Sequence, residues 1–248
     1  MLKCSFIEGP ILHRLKYGKG RGQNLAKAVG FKFNKNRTII DATAGLGYDA
    51  FILASLGANV TLIERSEKIY DLLKGAISEA KLYGGEISKI VNRMNLLFGD
   101  SKDILPNIAP EVILIDTMYK DRKKSALVKN DMRLVREVVG SDSDHVELIN
   151  VALNNASKRV VIKIGSALLI DSKTGKLQKN WLETLAFDIH NLINSGVEVI
   201  IVSSGSIALG KKQLYLKDNL SLDRNQIDSG IDRNGLLLPA GAHPNQHK

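Results

Sequence analysis

The stretch Thr38-Ile-Ile-Asp41-Ala-Thr-Ala-Gly45-Leu-Gly47-Tyr-Asp49 decides the fold. It opens with a short β-branched apolar run closed by an acid, and two glycines follow. From Asp49 onward apolar residues recur at helical spacing as far as Leu56. Strand, glycine turn and helix in that order begin a βαβ unit. A second apolar run, residues 59–64, ends in another acid, Glu64. Further strand-like runs lie at 96–99, 111–116, 159–163 and 197–202, and helical patterns at 49–56, 67–82, 132–139, 145–156 and 180–193. Gly57, Gly140 and Gly196 stand where helices need C-terminal caps, and Tyr83-Gly84-Gly85 reads as a helix end. The alternation predicts an α/β fold with a mostly parallel sheet and helices on both faces.

The length of 248 residues, at about 150 residues per domain, allows one to two domains with a sizeable core. With 44% hydrophobic and 25% charged residues, wholesale disorder, collagen and coiled coil are excluded. Thirty-five Lys and Arg against twenty-six Asp and Glu leave a net charge of +9, which favours a polyanionic partner. The single Cys4 excludes an internal disulfide, and no Cys/His cluster has zinc spacing, so no metal is expected. No run approaches the length of a membrane span and no apolar signal segment opens the chain, so a cytoplasmic protein is expected.

Gly45 and Gly47 let the main chain approach a ligand closely, and Glu64 can hold the two hydroxyls of a ribose. The same spacing also suits a plain βα turn. The third glycine of the dinucleotide fingerprint is missing and Asp41 precedes the turn. A carboxylate there repels pyrophosphate and attracts an ammonium or sulfonium, which points to S-adenosylmethionine (SAM) as the cofactor. At the end of the 111–116 strand, Asp116-Thr-Met-Tyr119 supplies an acceptor for amine hydrogens in Asp116 and an aromatic face in Tyr119. These are the requirements for methylating the exocyclic amine of a base, although a strand-capping Asp before an ordinary loop has the same spacing. Between Gly9 and Ile40 stand eight basic residues and no acid, among them Arg14, Lys16 and Arg21. A second cluster, including Lys123, Lys124 and Lys129, follows Tyr119. Such runs are solvated faces or phosphate contacts, and the second adjoins the expected base pocket.

The segments 9–22, Ala26-Lys-Ala-Val-Gly30, 41–47 and 124–133 resemble the bacterial 16S rRNA guanine-N2 methyltransferase J family over about residues 6–163. This resemblance implies the class I SAM-dependent methyltransferase (Rossmann-like) sheet. It places cofactor contacts at Tyr48 and Asp49, Glu64 and Arg65, and Asp100 and Ser101, with Asp116 at the catalytic edge. With Asp41, Gly45 and Gly47 these are the candidate cofactor residues. Asp116 and Tyr119 are the candidate catalytic pair, and 16S rRNA or the small ribosomal subunit is the implied partner. The family usually has Arg at the position of Tyr48 and Asp-Pro-Met-Phe-Pro where this chain reads Asp116-Thr-Met-Tyr-Lys120. Loss of proline frees a backbone angle in the loop that aims Asp116 and Tyr119.

From about Arg159 to Leu222 the chain resembles instead the start of glutamate 5-kinase, an amino-acid kinase. That resemblance implies phosphate binding at Lys163, Gly165 and Ser166, and a substrate turn at Ser203-Ser204-Gly205. The expected organisation is a methyltransferase domain over 1–163, a kinase-like βα segment over 164–218 and a polar tail over 219–248. The 159–163 strand serves both readings, and the 197–202 strand is expected beside it in one sheet. Three functions follow: an rRNA guanine-N2 methyltransferase, a fusion that binds SAM or RNA without turnover, and a kinase fragment.

Overall fold

The computed structural model describes residues 2–17, 20–30, 38–116, 144–165, 177–180, 182–183, 186–187 and 196–203. They belong to two compact units, residues 1–164 with 183–202, and residues 165–182 with 203–248. The expected helices at 132–139 and, for the most part, 180–193 lie outside the described residues, as does the tail at 219–248.

The first unit is built on a six-stranded sheet: β1 Thr38–Asp41, β2 Asn59–Glu64, β3 Met94–Phe98, β4 Val112–Asp116, β5 Arg159–Ile164 and β6 Glu198–Ser203. Their spatial order is β3-β2-β1-β4-β5-β6. The pairings β3·β2, β2·β1, β1·β4 and β4·β5 are all parallel. Ile113, Leu114 and Ile115 of β4 and Val160, Val161 and Ile162 of β5 are buried as continuous runs. Such runs, without polar alternation, are what a parallel sheet covered on both faces requires. β6 occupies the edge beside β5, where Glu198 N–H donates to Lys158 O at 3.0 Å and Arg159 Nε to Glu198 Oε2 at 2.7 Å.

The helices are α1 Pro10–Tyr17, α2 Asn24–Ala28, α3 Tyr48–Ser55, α4 Glu67–Tyr83, α5 Gly85–Val91, α6 Ser101–Ile104 and α7 His145–Asn155. In α4, Ile69, Leu73, Ala76, Ile77 and Ala80 form one buried stripe at three- and four-residue spacing. Glu67 in its first turn and Lys81 in its last oppose the helix dipole. α3 is buried almost all round, from Ala50 to Ala54. Ahead of the helices, Phe6 is fully buried and stacks on Phe51 with centroids 4.8 Å apart, pinning the N-terminal segment to α3.

β1 and β2 have the bounds expected from sequence, whereas other elements differ in ways with physical causes. β3 starts two residues earlier than expected because Met94 is itself buried and pairs with Val60. It stops before Gly99, whose φ of 144° leaves the strand. Gly84 does end α4, but Gly85 is already the first residue of α5. The basic N-terminal stretch holds α1 and α2, whose few buried residues, Ile11, Leu25, Ala26 and Ala28, fall between charges and glycines.

Candidate functional site

In the sheet order, the chain runs outward from β1 through β2 and β3 on one side and through β4, β5 and β6 on the other. The reversal between β1 and β4 opens a crevice outside the carboxyl ends of the strands, the place where open α/β sheets bind ligands. Those ends carry Asp41, Glu64, Asp116 and, one residue before the last of β5, Lys163. The register sets them side by side: Asp41 pairs with Leu114, and Asp116 pairs with Lys163.

Asp41 is 3% exposed. Among the described residues its carboxylate accepts one hydrogen bond, from Thr43 N–H at 3.2 Å. Burial, aided by the negative charge of Asp49, pushes its pKa up to about 7. Thr43 works on both sides of the crevice, because its hydroxyl accepts from Asp116 N–H at 2.7 Å and so ties the end of β4 to the glycine loop. Gly45 and Gly47 have φ of 53° and 69°. At Gly47 a Cβ would lie 2.8 Å from Leu73 Cδ1 and 3.1 Å from Leu62 Cδ2. Glycine is therefore required there for backbone and for space. α3 begins directly after it with no side-chain cap, so the positive end of its dipole meets the crevice.

A chain of ion pairs crosses the same crevice. Arg14 Nη1 lies 2.6 Å from Asp49 Oδ1, and Lys163 Nζ lies 2.6 Å from Asp49 Oδ2. Lys163 also pairs with Asp116. Desolvation alone would raise the Asp49 pKa, but Lys163 and Arg14 outweigh it and hold the carboxyl below its ordinary value. The two acids likewise outweigh burial at Lys163 and raise its pKa. Three carboxylates thus meet two cations, so the site carries surplus negative charge when Asp41 ionises. A cationic ligand fits that balance, and the buried Asp41, with a single amide donor, has acceptor capacity left for an ammonium.

Next to it, Glu64 is 7% exposed and its two oxygens accept from Gly45 N–H and Ser66 N–H, each at 2.8 Å. Burial raises its pKa against the pull of these donors. The Arg65 main chain donates to the same carboxylate, and the acceptor capacity that is left is what a ribose hydroxyl can use. Asp100 accepts from Lys102 N–H at 2.9 Å at the start of α6. Arg65 Nη1 reaches Asp144 Oδ2 at 2.8 Å and Asp100 Oδ2 at 3.5 Å, and Lys102 Nζ reaches Asp144 at 2.9 Å and Glu147 at 2.8 Å.

The structure therefore brings Asp41, Gly45, Gly47, Tyr48, Asp49, Glu64, Arg65, Asp100, Ser101 and Asp116 to the carboxyl edge of one sheet. Three of the side chains singled out from the sequence are engaged within the protein. The Ser101 hydroxyl is buried and donates to Ala42 O at 2.6 Å, so its side chain is engaged within the protein. Both oxygens of Asp49 are engaged by cations, which gives its carboxylate a structural part. Arg14, expected on an RNA-facing surface, turns into the crevice, where it also donates to Gln23 Oε1 at 3.1 Å. Lys16 stands on α1 with its ammonium 5.4 Å from the Tyr17 ring centroid. Tyr119, Lys123, Lys124 and Lys129 and the side chain of Arg21 lie outside the described residues. Thr43 and Lys163 were missed as members of this site. The one available signal for Lys163 was its place near the carboxyl end of a strand, like Asp41, Glu64 and Asp116. Among the described residues no helix is long and apolar enough to cross a membrane.

Comparison with known proteins agrees with this geometry. A family model of SAM-dependent methyltransferases matches residues 1–190, and a model of the amino acid kinase family matches residues 158–238. The chain is 53% identical over 158 residues to ribosomal RNA small subunit methyltransferase J of Agrobacterium fabrum, covering 64% of this chain and 76% of the relative. It is 52% identical over 162 residues to the protein of that name in Brucella anthropi, covering 65% and 79%. Among solved structures it is similar to a SAM-dependent methyltransferase from Neisseria gonorrhoeae, at 32% identity and a TM-score of 0.50, covering 65% of this chain and 62% of that one. With its acid-lined crevice at the sheet reversal and its match over residues 1–190, the chain belongs to the SAM-dependent methyltransferase family, alongside the small subunit methyltransferases J.

Proposed function

We propose that the chain methylates the N2 amine of a guanine in 16S rRNA, on the small ribosomal subunit, in the cytoplasm. The observation that carries this reading is the half-exposed Asp116 at the end of β4, set in register with Lys163 and tied by its own N–H to the Thr43 loop. The likeness to relatives named for small subunit RNA supplies the class of substrate. SAM, when bound, supplies a methyl group made electrophilic by the sulfonium. Asp41 would hold the cofactor's ammonium and Glu64 its ribose, and the main chain at Gly45, Gly47, Tyr48 and Asp49 would let it approach, with Arg65, Asp100 and Ser101 beside it.

Asp116 accepts a hydrogen bond from the guanine amine, which localises the nitrogen lone pair that ring conjugation otherwise withdraws. On taking up the methyl group the amine nitrogen would shed one proton, which the Asp116 carboxylate would accept. Tyr119 stacks on the base, and Lys16, Arg21, Lys123, Lys124 and Lys129 hold the flanking phosphates. The test is transfer of labelled methyl to small subunits lacking their own N2-methylguanosine, with the product nucleoside identified by mass. Appearance of N2-methylguanosine supports the reading, and a methyl on another position or none at all contradicts it.

A second reading is a fusion that binds SAM or RNA without turnover. It draws on Thr117 and Lys120, which stand where the family has proline, and on the amino acid kinase match from residue 158. Saturable SAM binding with no transfer to any RNA favours it. A kinase fragment is disfavoured because Lys163, the residue given to phosphate by the kinase resemblance, is paired with Asp49 and Asp116.

A further inference from the structure

We propose that Lys163 is a positioning residue for methyl transfer, bridging Asp49 on α3 and Asp116 on β4 so that the acceptor carboxylate is held against the cofactor helix. This rests on the methyl-transfer reading above and goes beyond it, because the kinase resemblance would use the same lysine to bind phosphate.

The parallel register places Lys163 opposite Asp116, so their side chains leave neighbouring strands about 5 Å apart. The Lys163 ammonium then spans from Asp116 to Asp49 Oδ2 at 2.6 Å, while Asp49 Oδ1 is taken by Arg14 from α1. Four elements, α1, α3, β4 and β5, are thereby joined through one line of charges. Asp49 has 16% of its side chain exposed and Lys163 27%, so water screens the bridge weakly. Without the ammonium, Asp49 and Asp116 would repel one another, and Asp116 would turn away from the position where the amine arrives. A phosphate approaching Lys163 would have to displace two carboxylates. The lysine is thus committed to the methyltransferase crevice.

The charged groups facing Asp49 are Arg14 of α1, Asp41 of β1 and Lys163 of β5, and Lys163 in turn holds Asp116 of β4. Of these, Arg14 and Lys163 hold its carboxyl below the ordinary value, which gives a readout independent of turnover. The full chain is compared with Lys163→Met and Lys163→Arg. Carbon-detected NMR of the Asp49 carboxyl is expected to show a depressed midpoint in the parent, a raised one in Lys163→Met and a value near the parent's in Lys163→Arg. In single-turnover transfer, Lys163→Met is expected to lose about a hundredfold in rate while SAM affinity, by calorimetry, stays within about tenfold. Lys163→Arg is expected to recover most of that rate. An ordinary Asp49 midpoint in the parent overturns the bridge even where Lys163→Met does not fold. Parent-like transfer by a folded Lys163→Met overturns the positioning role, as does a rate loss explained entirely by lost SAM affinity. A parent that transfers no methyl to RNA refutes the functional reading instead, and the Asp49 midpoint still decides the bridge.

Discussion

Asp41 and Gly47 carry the sharpest expectations at the scale of single residues. The Asp41 pKa is raised to about 7 in the folded chain from an ordinary 3.8, so its contribution to stability is fully present below about 3.8 and is lost as pH rises through about 7. Asp41→Asn keeps an acceptor for Thr43 N–H and removes that loss. It is expected to stabilise the cofactor-free chain by on the order of 2–4 kcal/mol at pH 8, with the gain vanishing near pH 4. Urea unfolding at the two pH values measures this. The same change is expected to weaken SAM binding at least tenfold by calorimetry, since the ammonium loses its counter-charge; unchanged affinity would remove Asp41 from the cofactor site. Gly47→Ala forces a side chain into left-handed backbone and against the buried Leu73 and Leu62, and is expected to destabilise by about 2–4 kcal/mol in urea unfolding. Residue types alone marked both positions. The partners of Asp49 were not legible, because Arg14 and Lys163 stand 35 and 114 positions away and meet it only in the folded chain.

Among the elements, α7 is attached to the crevice edge through the ion pairs of Asp144 with Lys102 and Arg65. Hydrogen bonds from Lys102 and Arg65 hold the Asp144 carboxyl down at about 2. A lowered acid contributes stability above its unfolded value that is lost as pH falls through the folded one. The group is partly exposed, so Asp144→Asn is expected to lower stability by no more than about 1 kcal/mol at pH 7. The difference from the parent should fade between pH 4 and about 2, as followed by circular dichroism. A difference that grew on acidification would contradict the assignment. β1, β2 and α4 were readable because their burial patterns are continuous or evenly periodic. α1, α2 and α5 were not, since in each a few apolar residues sit beside glycines and charges that ordinarily stop a helix.

For the whole molecule, β6 is the element that the methyltransferase resemblance did not cover, yet it closes the sheet beside β5. Ile200 and Val202 pack against the main core, and Arg159 pairs with Glu198. Ending the chain at residue 196 would leave β5 as a long apolar edge, and is expected to lower the melting temperature by about 5 °C or more and to promote aggregation. Scattering and calorimetry of the shortened chain check this, and an unchanged melting temperature would make β6 dispensable. The parallel fold and the acid-and-glycine crevice were legible because strand ends in such sheets converge on one edge whatever the loops between them. The role of Lys163 was hidden because its local sequence resembles a kinase strand while its neighbours belong to the methyltransferase crevice. The most direct measurement is labelled methyl transfer to undermethylated small subunits by the parent and Asp116→Ala in parallel, with SAM binding followed in both. The account requires N2-methylguanosine from the parent, and at least a hundredfold less from a folded, SAM-binding Asp116→Ala. Equal transfer by the two chains would contradict it.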